Sequence, residues 1–409
     1  MHKVDKLIIG GGITGLSAAS FLEKDYDYLV LESSNELGGY CKTTKRNGFV
    51  WDYSGHFFHF RNSEIKQYMM SEMNCEKVEI QKITDIDYKG NIIDFPFQYN
   101  IHQLPRGDFL ECLKDMYYLN KKDTSNFKSF VNSTSGKAIA EKFLIPYNEK
   151  LYTLDSSAMG RFFPKPIKFD ELMEKITSNN KYESYNGSFI YPVDGSYEFI
   201  KSILKRVDEN KIWLETKADN IDPSNKIVYT QKGPIQYNTL ISTMPFNKLS
   251  SILYDGDDKS LSSNKVAVFN LGFDKGTDIK THWRYYPGKE IFYRIGFYNN
   301  ILGADKLSLY VEIGATSHQK LEEDVLLDQV VKDLKSCGVI TNHVLVDHQF
   351  IVMDPAYVHI NTESKLSYKR FCDEFNNKGI YSIGRYGSWT YCSIEDNMIQ
   401  AKELINTIK

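Results

Sequence analysis

The feature that most constrains this chain is a glycine pattern near its start, between two apolar runs. In "VDKLIIGGGITGLSAASFLEK", residues 4–9 are expected to form a buried strand, and the following helix is expected to end near residue 23. Gly10, Gly12 and Gly15 fill the spacing G-x-G-x-x-G. These glycines permit a tight turn, close approach of a pyrophosphate and close packing of the helix on the strand. The pattern predicts a dinucleotide site at the N-terminus of the helix.

A second strand, "YDYLVLE", ends at Glu32, about where a carboxylate would bind the hydroxyls of an adenosine ribose. Gly38 and Gly39 follow six and seven residues later. This arrangement resembles the second glycine element of glutathione-reductase-like FAD proteins. The resemblance implies FAD as the tightly held cofactor, because NAD alone would not explain the glycine pair. The alternative is a glycine turn that binds no ligand.

The far end of the chain predicts a second part of the same site. "GIYSIGRYGSWTYCSIEDNMIQAKELINTI" is expected to form a strand over residues 380–383, a loop containing Gly384 and Arg385, and a helix from about Glu395. This order resembles the C-terminal flavin-binding element of the amine-oxidase-like group. The resemblance implies that Gly384, Arg385 and Asp396 lie at the cofactor, with Arg385 closer to the flavin than to a substrate. Both ends of the chain would then build one domain.

The middle of the chain is expected to be inserted into that domain. Apolar spacings near three and four predict a mainly helical region over residues 61–185, interrupted by a hairpin with its turn at Lys89-Gly90-Asn91. Short β-branched and aromatic runs dominate from about residue 189 to 360 and predict a mixed or antiparallel sheet. The expected fold is α/β. Its parts are a Rossmann-like FAD-binding domain (1–60, 186–250 and 372–409), the helical region (61–185) and a β-sheet substrate domain (251–371).

Composition limits the partners and the compartment. The chain has 50 basic and 53 acidic residues and a net charge of -3, so no basic excess indicates nucleic acid binding. Its six cysteines form no C-x-x-C pair, which argues against a zinc site or a disulfide framework and favours a reducing compartment. No apolar run approaches the length of a membrane span. A cytoplasmic protein without a bound metal is therefore expected.

The segment "DYSGHFFHF" carries the most informative resemblance. It resembles the Gly-x-His-x-x-His segment of UDP-galactopyranose mutases, in which a glycine–histidine loop lies against the flavin ring. The similarity to this family spans about residues 4–405. Five later segments resemble the family in the same order: "FPFQYNIHQLP", "FLIPYNEKLY", "SFIYPVDGSYEFI", "THWRYYPGKEIFYRIGFYNN" and "GRYGSWTYCSIEDNMIQA". Two positions depart from the pattern. Tyr152 stands where the family carries tryptophan, and "DPAYVHI" only loosely matches the segment that supplies a phosphate-binding tyrosine.

The resemblance implies a redox-neutral interconversion of pyranose and furanose nucleotide sugars that requires reduced FAD. Flavin N5 would attack the anomeric carbon and expel the nucleotide diphosphate. Paired arginines would hold that diphosphate, tyrosine hydroxyls would donate to it, and His56 would lie beside the flavin on a loop made mobile by Gly55. The implied catalytic residues are His56, Arg294, Arg161 and Tyr391. Substrate contacts are implied for Arg161, Arg294, Tyr357, Tyr391, Tyr152 and Asn148, and cofactor contacts for Gly10, Gly12, Gly15, Glu32, Gly38, Gly39, Gly55, Gly384, Arg385 and Asp396.

Other functions stay open at this point. A net oxidoreductase on the same scaffold, such as an amine oxidase, desaturase or protoporphyrinogen-oxidase relative, would share both FAD-binding ends but should have an apolar substrate tunnel. A flavin-bound protein without catalysis is a further alternative. His56 and Arg294 could instead be a core histidine and a surface ion-pair partner. The sequence leaves undetermined the sugar, the nucleotide, the oligomeric state and whether NADPH or NADH supplies electrons.

Overall fold

The computed structural model describes residues 1–119, 124–160, 168–178 and 187–409. Its strands, in chain order, are β1 (His2–Ile9), β2 (Tyr28–Leu31), β3 (Thr43–Arg46), β4 (Phe49–Asp52), β5 (Lys77–Gln81), β6 (Thr84–Tyr88), β7 (Asn91–Asp94), β8 (Ser188–Pro192), β9 (Ile212–Trp213), β10 (Asn220–Asp222), β11 (Ile227–Thr230), β12 (Gly233–Ser242), β13 (Asn264–Phe273), β14 (Trp283–Tyr285), β15 (Arg294–Phe297), β16 (Ser308–Thr316), β17 (Leu345–Met353) and β18 (Ile380–Ser382).

The α-helices are α1 (Ile13–Leu22), α2 (Ser63–Glu72), α3 (Arg106–Tyr117), α4 (Phe127–Ser135), α5 (Lys137–Ile139), α6 (Ile145–Tyr152), α7 (Phe169–Ser178), α8 (Tyr197–Leu204), α9 (Phe246–Tyr254), α10 (Tyr298–Leu302), α11 (Glu323–Ser336), α12 (Thr362–Phe375), α13 (Gly384–Gly387) and α14 (Ile394–Ile408). A π-helical turn, Ala140–Leu144, joins α5 to α6. It ends two residues before Pro146, which has no backbone N–H to donate to the preceding turn.

The first sheet has the strand order β10-β11-β12-β1-β2-β9, and β18 also pairs with β12. Strand β1 runs parallel to both β12 and β2. Its last residues, from Lys6 to Ile9, are buried, as expected for a central parallel strand covered on both faces. Because β18 runs parallel to β12, the end of the chain completes the sheet that its start begins.

Helices α1 and α14 pack together and link the two ends of the chain further. The Thr14 hydroxyl donates to the side-chain oxygen of Asn397 over 2.8 Å. Helix α14 begins with a capping box in which the Ser393 hydroxyl accepts from the Asp396 amide, and the Asp396 carboxylate accepts from Ser393. The two ends of the chain therefore contact each other through α1 and α14, and their forming one domain stays a prediction.

The second sheet has the order β17-β13-β16-β15-β14-β6-β7. It is antiparallel apart from the parallel pairing of β14 with β6. At that pairing, Arg284 lies directly opposite Asp85, and the two buried side chains form a two-bond ion pair over 2.7 and 2.8 Å. The hairpin β6–β7 thus belongs to the sheet of the proposed substrate domain.

Three elements pack against a different part of the structure from the domain to which the sequence assigns them. The hairpin β6–β7 was expected within a separate helical region, yet it extends the second sheet. Strand β8 was expected in the FAD-binding domain, but it pairs with β5. Helix α12 falls mostly within the predicted substrate domain, although its Phe371 and Phe375 belong to the core cluster that contains Val4 and Leu7 of β1. Contacts between segments far apart in sequence decide these positions, and local patterns do not reveal them. No helix of the described residues is long and apolar enough to cross a membrane.

Candidate active site

The first glycine turn is shaped by contacts that exclude larger residues. Gly10 has φ +108°, and a Cβ there would overlap the Thr243 hydroxyl. A Cβ on Gly15 would overlap the carbonyl oxygen of Gly10, which lets α1 begin immediately beside the end of β1. Gly12 is the N-cap of α1 and provides no side-chain cap. The amides of the first helical turn therefore face outward without a side-chain acceptor, as an anion-binding helix end requires.

The second glycine element lies against the first. Gly12 and Gly38 form a parallel β-bridge, and the Gly38 amide donates to the Gly11 carbonyl over 2.8 Å. Gly38 and Gly39 have φ values of +106° and +58°, in the region that favours glycine. The Glu32 carboxylate accepts from the Gly11 amide over 2.7 Å and from the Ser34 amide over 2.8 Å, so it links the first turn to the end of β2. Its binding to a ribose stays a prediction.

The C-terminal segment reaches the same turn. Gly384 has φ +87°, and a Cβ there would lie 2.6 Å from the Thr14 hydroxyl oxygen. The Arg385 amide donates to the Asn397 side chain over 2.8 Å, which orients the following residues. The Asp396 carboxylate is occupied by its capping box and by Arg61, whose guanidinium donates to it over 2.7 Å. Asp396 thus shapes the N-terminus of α14, and its predicted cofactor contact stays a prediction.

The loop of Ser54, Gly55 and His56 follows β4 and enters the interior. A Cβ on Gly55 would lie 2.5 Å from the Tyr310 hydroxyl oxygen and 2.8 Å from the Phe57 ring. Nδ1 of His56 is buried and has no hydrogen-bond partner among the described residues. Burial, reinforced by the nearby Arg385 charge, lowers the pKa of His56 to about 4. The imidazole is therefore neutral at physiological pH and has one nitrogen free for a ligand.

Arg294, at the start of β15, forms an ion pair with Glu312 of β16. Its Nη2 donates to the carboxylate over 2.7 Å, and its Nε donates to the other carboxylate oxygen. Glu312 is 1% exposed, so this is not the surface ion pair that the sequence left open. The guanidinium also lies 5.9 Å from the centre of the Tyr310 ring. No sequence motif marks Glu312, so sequence reasoning missed this partner of Arg294.

Arg385 lies among tyrosines. Its guanidinium carbon is 5.1 Å from the centre of the Tyr357 ring and 4.8 Å from that of Tyr391. These two rings are nearly parallel, with centres 6.5 Å apart. The Tyr152 ring packs edge-on against Tyr357, with 5.4 Å between centres. No carboxylate is paired with the Arg385 guanidinium among the residues that the structure describes, so its charge is available to an anion.

The two arginines face one tyrosine-lined region. Burial raises the pKa of Tyr357, and the charges of Arg294 and Arg385 act in the opposite direction. Tyr391 is 55% exposed and forms the outer edge of the region. Burial raises the pKa of Tyr285, and the charge of Arg294 acts in the opposite direction. We call the region formed by Arg294, Arg385, Tyr285, Tyr357 and Tyr391 the arginine–tyrosine pocket.

For Asn148 and His59 the structure gives contacts other than those of this pocket, and a substrate role of Asn148 stays a prediction. The Asn148 amide donates to the Leu144 carbonyl of its own helix over 2.7 Å. Nδ1 of His59 contacts the Ser188 carbonyl over 2.8 Å, and burial lowers the pKa of this imidazole to about 4. Arg161 lies outside the described residues. Within the described ranges, no three His, Cys, Asp or Glu side chains are grouped to hold a metal ion.

Lys82 is a further charged residue that sequence reasoning missed. Its ammonium lies 5.7 Å from the centre of the Trp283 ring and 5.9 Å from that of Phe95. Burial lowers the pKa of Lys82 to about 8. The Trp283 indole in turn donates to the Tyr285 hydroxyl over 2.8 Å, which connects this lysine to the inner wall of the arginine–tyrosine pocket. A single lysine outside any motif gives no sequence signal for such a position.

Comparisons with known proteins concern the fold and the N-terminal nucleotide-binding segment. A family model described as an NAD(P)-binding Rossmann-like domain matches residues 8–71. Coproporphyrinogen III oxidase of Bacillus subtilis is 26% identical over 178 residues, which cover 42% of this chain and 34% of that protein. The matches to the first three curated relatives span 34%, 56% and 52% of the relatives' own lengths.

Two solved structures match over the whole chain. Reduced UDP-galactopyranose mutase has a TM-score of 0.92 and 22% identity, with coverage of 100% of this chain and 94% of that chain. A protein assigned as a protoporphyrinogen oxidase from Exiguobacterium has a TM-score of 0.80 and 18% identity, with coverage of 100% and 98%. The resemblance and the α/β fold class predicted from the sequence are therefore confirmed at the level of fold.

Proposed function

We propose that this protein is a flavin-dependent nucleotide-sugar mutase that interconverts pyranose and furanose forms. The observation that carries the proposal is the arginine–tyrosine pocket beside the His56 loop. Two guanidiniums and several phenol groups suit a diphosphate, since charged donors bind phosphate oxygens strongly and tyrosine adds neutral donors. An apolar tunnel, expected for an oxidase of amines or porphyrinogens, would not place Arg294 and Arg385 there.

The residues present fit FAD as the cofactor. The uncapped N-terminus of α1, the paired glycine turns and Glu32 form a dinucleotide cradle of the expected kind. The free Nδ1 of His56 would face the flavin end of that cradle. When bound and reduced, FAD supplies an electron-rich nitrogen that can displace the diphosphate from the anomeric carbon. We leave open whether NADPH or NADH reduces it.

The protein's own residues would act on the diphosphate. In this reaction the bond from the anomeric carbon to the diphosphate breaks and re-forms, and the ring oxygen changes from O5 to O4, so that no net electrons are transferred. The family resemblance assigned Arg385 to the flavin, but its guanidinium lies over the Tyr357 and Tyr391 rings. It would therefore stabilise the charge on the leaving diphosphate, and Arg294, Tyr357 and Tyr391 would hold the diphosphate for return. His56 would stay neutral and donate or accept one hydrogen bond. Arg161 stays a proposed second clamp.

The substrate class follows from this chemistry. A nucleoside diphosphate sugar is proposed, with UDP-galactopyranose as the first candidate because of the family resemblance. Tyr152, which replaces a tryptophan of that family, packs on Tyr357 at the pocket. The nucleotide or sugar could differ for this reason, so several nucleotide sugars belong in the assay.

The test compares isomerisation with flavin turnover. The FAD-loaded protein is reduced with dithionite and incubated without oxygen with UDP-galactopyranose and other nucleotide sugars. An isomeric product without net oxidation of the flavin supports the mutase, while no isomer from any of them contradicts it. Arg385→Gln should raise the dissociation constant of UDP by about 100-fold, because a charged donor is lost. Arg370→Gln is the matched control, since Arg370 also lies over a tyrosine ring (Tyr254, 4.8 Å) but on helix α12.

A second candidate function is a net FAD-dependent oxidoreductase. It is favoured by the 26% identity to a coproporphyrinogen III oxidase and by the second solved structure. In that case, an organic substrate should reduce the oxidised flavin in proportion to the product formed. Bleaching of the flavin by a porphyrinogen or an amine, together with no effect of Arg385→Gln, would favour this candidate over the mutase.

A further inference from the structure

Glu312 holds two groups that belong to different parts of the site. It lies in β16 directly opposite Arg294 of β15 and is 1% exposed. Both carboxylate oxygens accept from the Arg294 guanidinium, and Oε1 also accepts from the Ser54 hydroxyl. One buried carboxylate thus contacts both the pocket arginine and the loop that carries His56.

The ion pair determines which edge of the Arg294 guanidinium a ligand can reach. A guanidinium has five N–H donors in one plane. Nε and one hydrogen of Nη2 are directed at Glu312, so three donors remain on the opposite edge. The same pair neutralises the charge of Arg294, while Arg385 stays unpaired among the described residues. Glu312 therefore sets both the orientation and the net charge of the arginine that is proposed to hold the diphosphate.

The contact with Ser54 stabilises an unfavourable backbone conformation. Ser54 has φ 72°, a left-handed value that a serine rarely adopts. Its hydroxyl donates to Glu312 and accepts from the Gly55 amide over 2.7 Å, and its carbonyl accepts from the His56 amide over 3.0 Å. These bonds compensate the backbone cost and set the direction in which His56 leaves the turn.

We propose that Glu312 is a positioning residue that couples the His56 loop to the anion-binding edge of Arg294. The inference deepens the proposed mutase function and rests on it for the identity of the anion. Loss of the carboxylate should loosen the Ser54 turn and free the guanidinium together. Loss of the Ser54 hydroxyl should loosen the turn alone, because Glu312 keeps Arg294. Coupling of this kind is reciprocal, so a bound diphosphate should in turn protect the loop.

The test uses FAD-loaded protein with Glu312→Gln, Ser54→Ala and the control Glu323→Gln, a carboxylate of α11 that pairs with His348 at the surface. Hydrogen exchange of residues 54–57 reports on the loop, and the Nε–H resonance of Arg294, assigned with Arg294→Lys, reports on the ion pair. Glu312→Gln should speed loop exchange by about tenfold or more and shift the Arg294 resonance. Ser54→Ala should change only the hydrogen exchange of the loop, and Glu323→Gln should change neither the loop exchange nor the Arg294 resonance. Compared with Glu312→Gln, Glu312→Asp should restore part of both signals.

Two results would overturn the inference. One is a Glu312→Gln protein in which either signal equals that of wild type. The other is a Ser54→Ala protein whose loop exchange is unchanged. This second result would overturn the inference even if Glu312→Gln does not fold. Binding of nucleoside diphosphates by the wild-type protein is measured separately. A wild-type protein that binds none of the nucleoside diphosphates of the nucleotide sugars in the assay would refute the proposed function, while the loop and resonance signals would still test the positioning role of Glu312.

Discussion

The buried carboxylate of Asp52 provides a prediction that is independent of the substrate. Asp52 is 0% exposed and ends β4, two residues before Ser54. Its carboxylate accepts from the Thr43 hydroxyl over 2.5 Å, from the Tyr191 hydroxyl over 2.7 Å and from the Ser196 amide over 3.1 Å. Despite these donors, burial raises the pKa of Asp52 to about 6. The substitution Asp52→Asn removes the titration while keeping the shape of the side chain.

The expected effect follows from linkage between proton binding and folding. The folded-state pKa is higher than the ordinary value of 3.8, so folding favours the protonated form. The associated stability is fully present below the ordinary pKa and is lost as the pH rises through about 6. With these two pKa values, ionisation of Asp52 costs about 1.6 kcal/mol at pH 5 and about 3 kcal/mol at pH 7.5. Wild type should therefore lose about 1.4 kcal/mol relative to Asp52→Asn across this interval.

The assay is urea unfolding of both proteins at pH 5, 6 and 7.5 with FAD in excess, followed by tryptophan fluorescence in both directions. The free energy of unfolding of Asp52→Asn minus that of wild type should rise with pH. Asp373→Asn is the control, because Asp373 pairs with Lys369 at the surface and should give a nearly constant difference. A difference for Asp52→Asn that is constant or falls with pH would refute the argument that burial dominates this carboxylate.

Three further predictions concern the site. Gly55→Ala should lower turnover by about tenfold or more, because its Cβ would lie 2.5 Å from the Tyr310 hydroxyl oxygen, and adding Tyr310→Phe should recover part of the loss. Lys150→Met should raise KM by about tenfold with FAD still bound, because the Lys150 ammonium holds the segment that precedes Arg294. It donates to the carbonyls of Tyr286, Gly288 and Phe292. Unchanged kinetics would contradict this prediction. Because the pKa of His56 is lowered to about 4, its protonation should cause no inflection in kcat between pH 5.5 and 8. An inflection in this range that disappears in His56→Asn would show that the imidazole is not buried as described.

The cofactor cradle was predictable because its signals are local. The tight turn, the close helix start and the left-handed backbone at Gly10, Gly15 and Gly38 each require a glycine at one position, so spacing alone identifies them. The fold class followed from the same motif and from the alternation of apolar runs. The C-terminal element was also recognisable, since Gly384 contacts Thr14 through the same kind of close approach.

The partners of the charged residues were not predictable from local patterns. Arg294 meets Glu312 and Arg284 meets Asp85 because each pair lies in register across two strands. Register depends on which strands pair, and the parallel β6–β14 pairing joins segments almost 200 residues apart. The same cause explains why the hairpin β6–β7 was predicted in a different domain from the sheet that it extends.

Charge in the pocket bears more directly on the chemistry than the fold does. The same architecture is shared with a UDP-galactopyranose mutase and with a protein assigned as a protoporphyrinogen oxidase, so fold similarity alone supports either reaction. Glu312 cancels one of the two arginine charges, and Tyr357 beside Arg385 carries none at neutral pH because burial raises its pKa. One uncompensated positive charge therefore remains in the described pocket. A neutral, apolar substrate would leave it desolvated at a cost of several kcal/mol, whereas a diphosphate would pair with it. This asymmetry supports the proposed anionic substrate and makes Arg385, more than Arg294, the residue whose substitution tests the proposal.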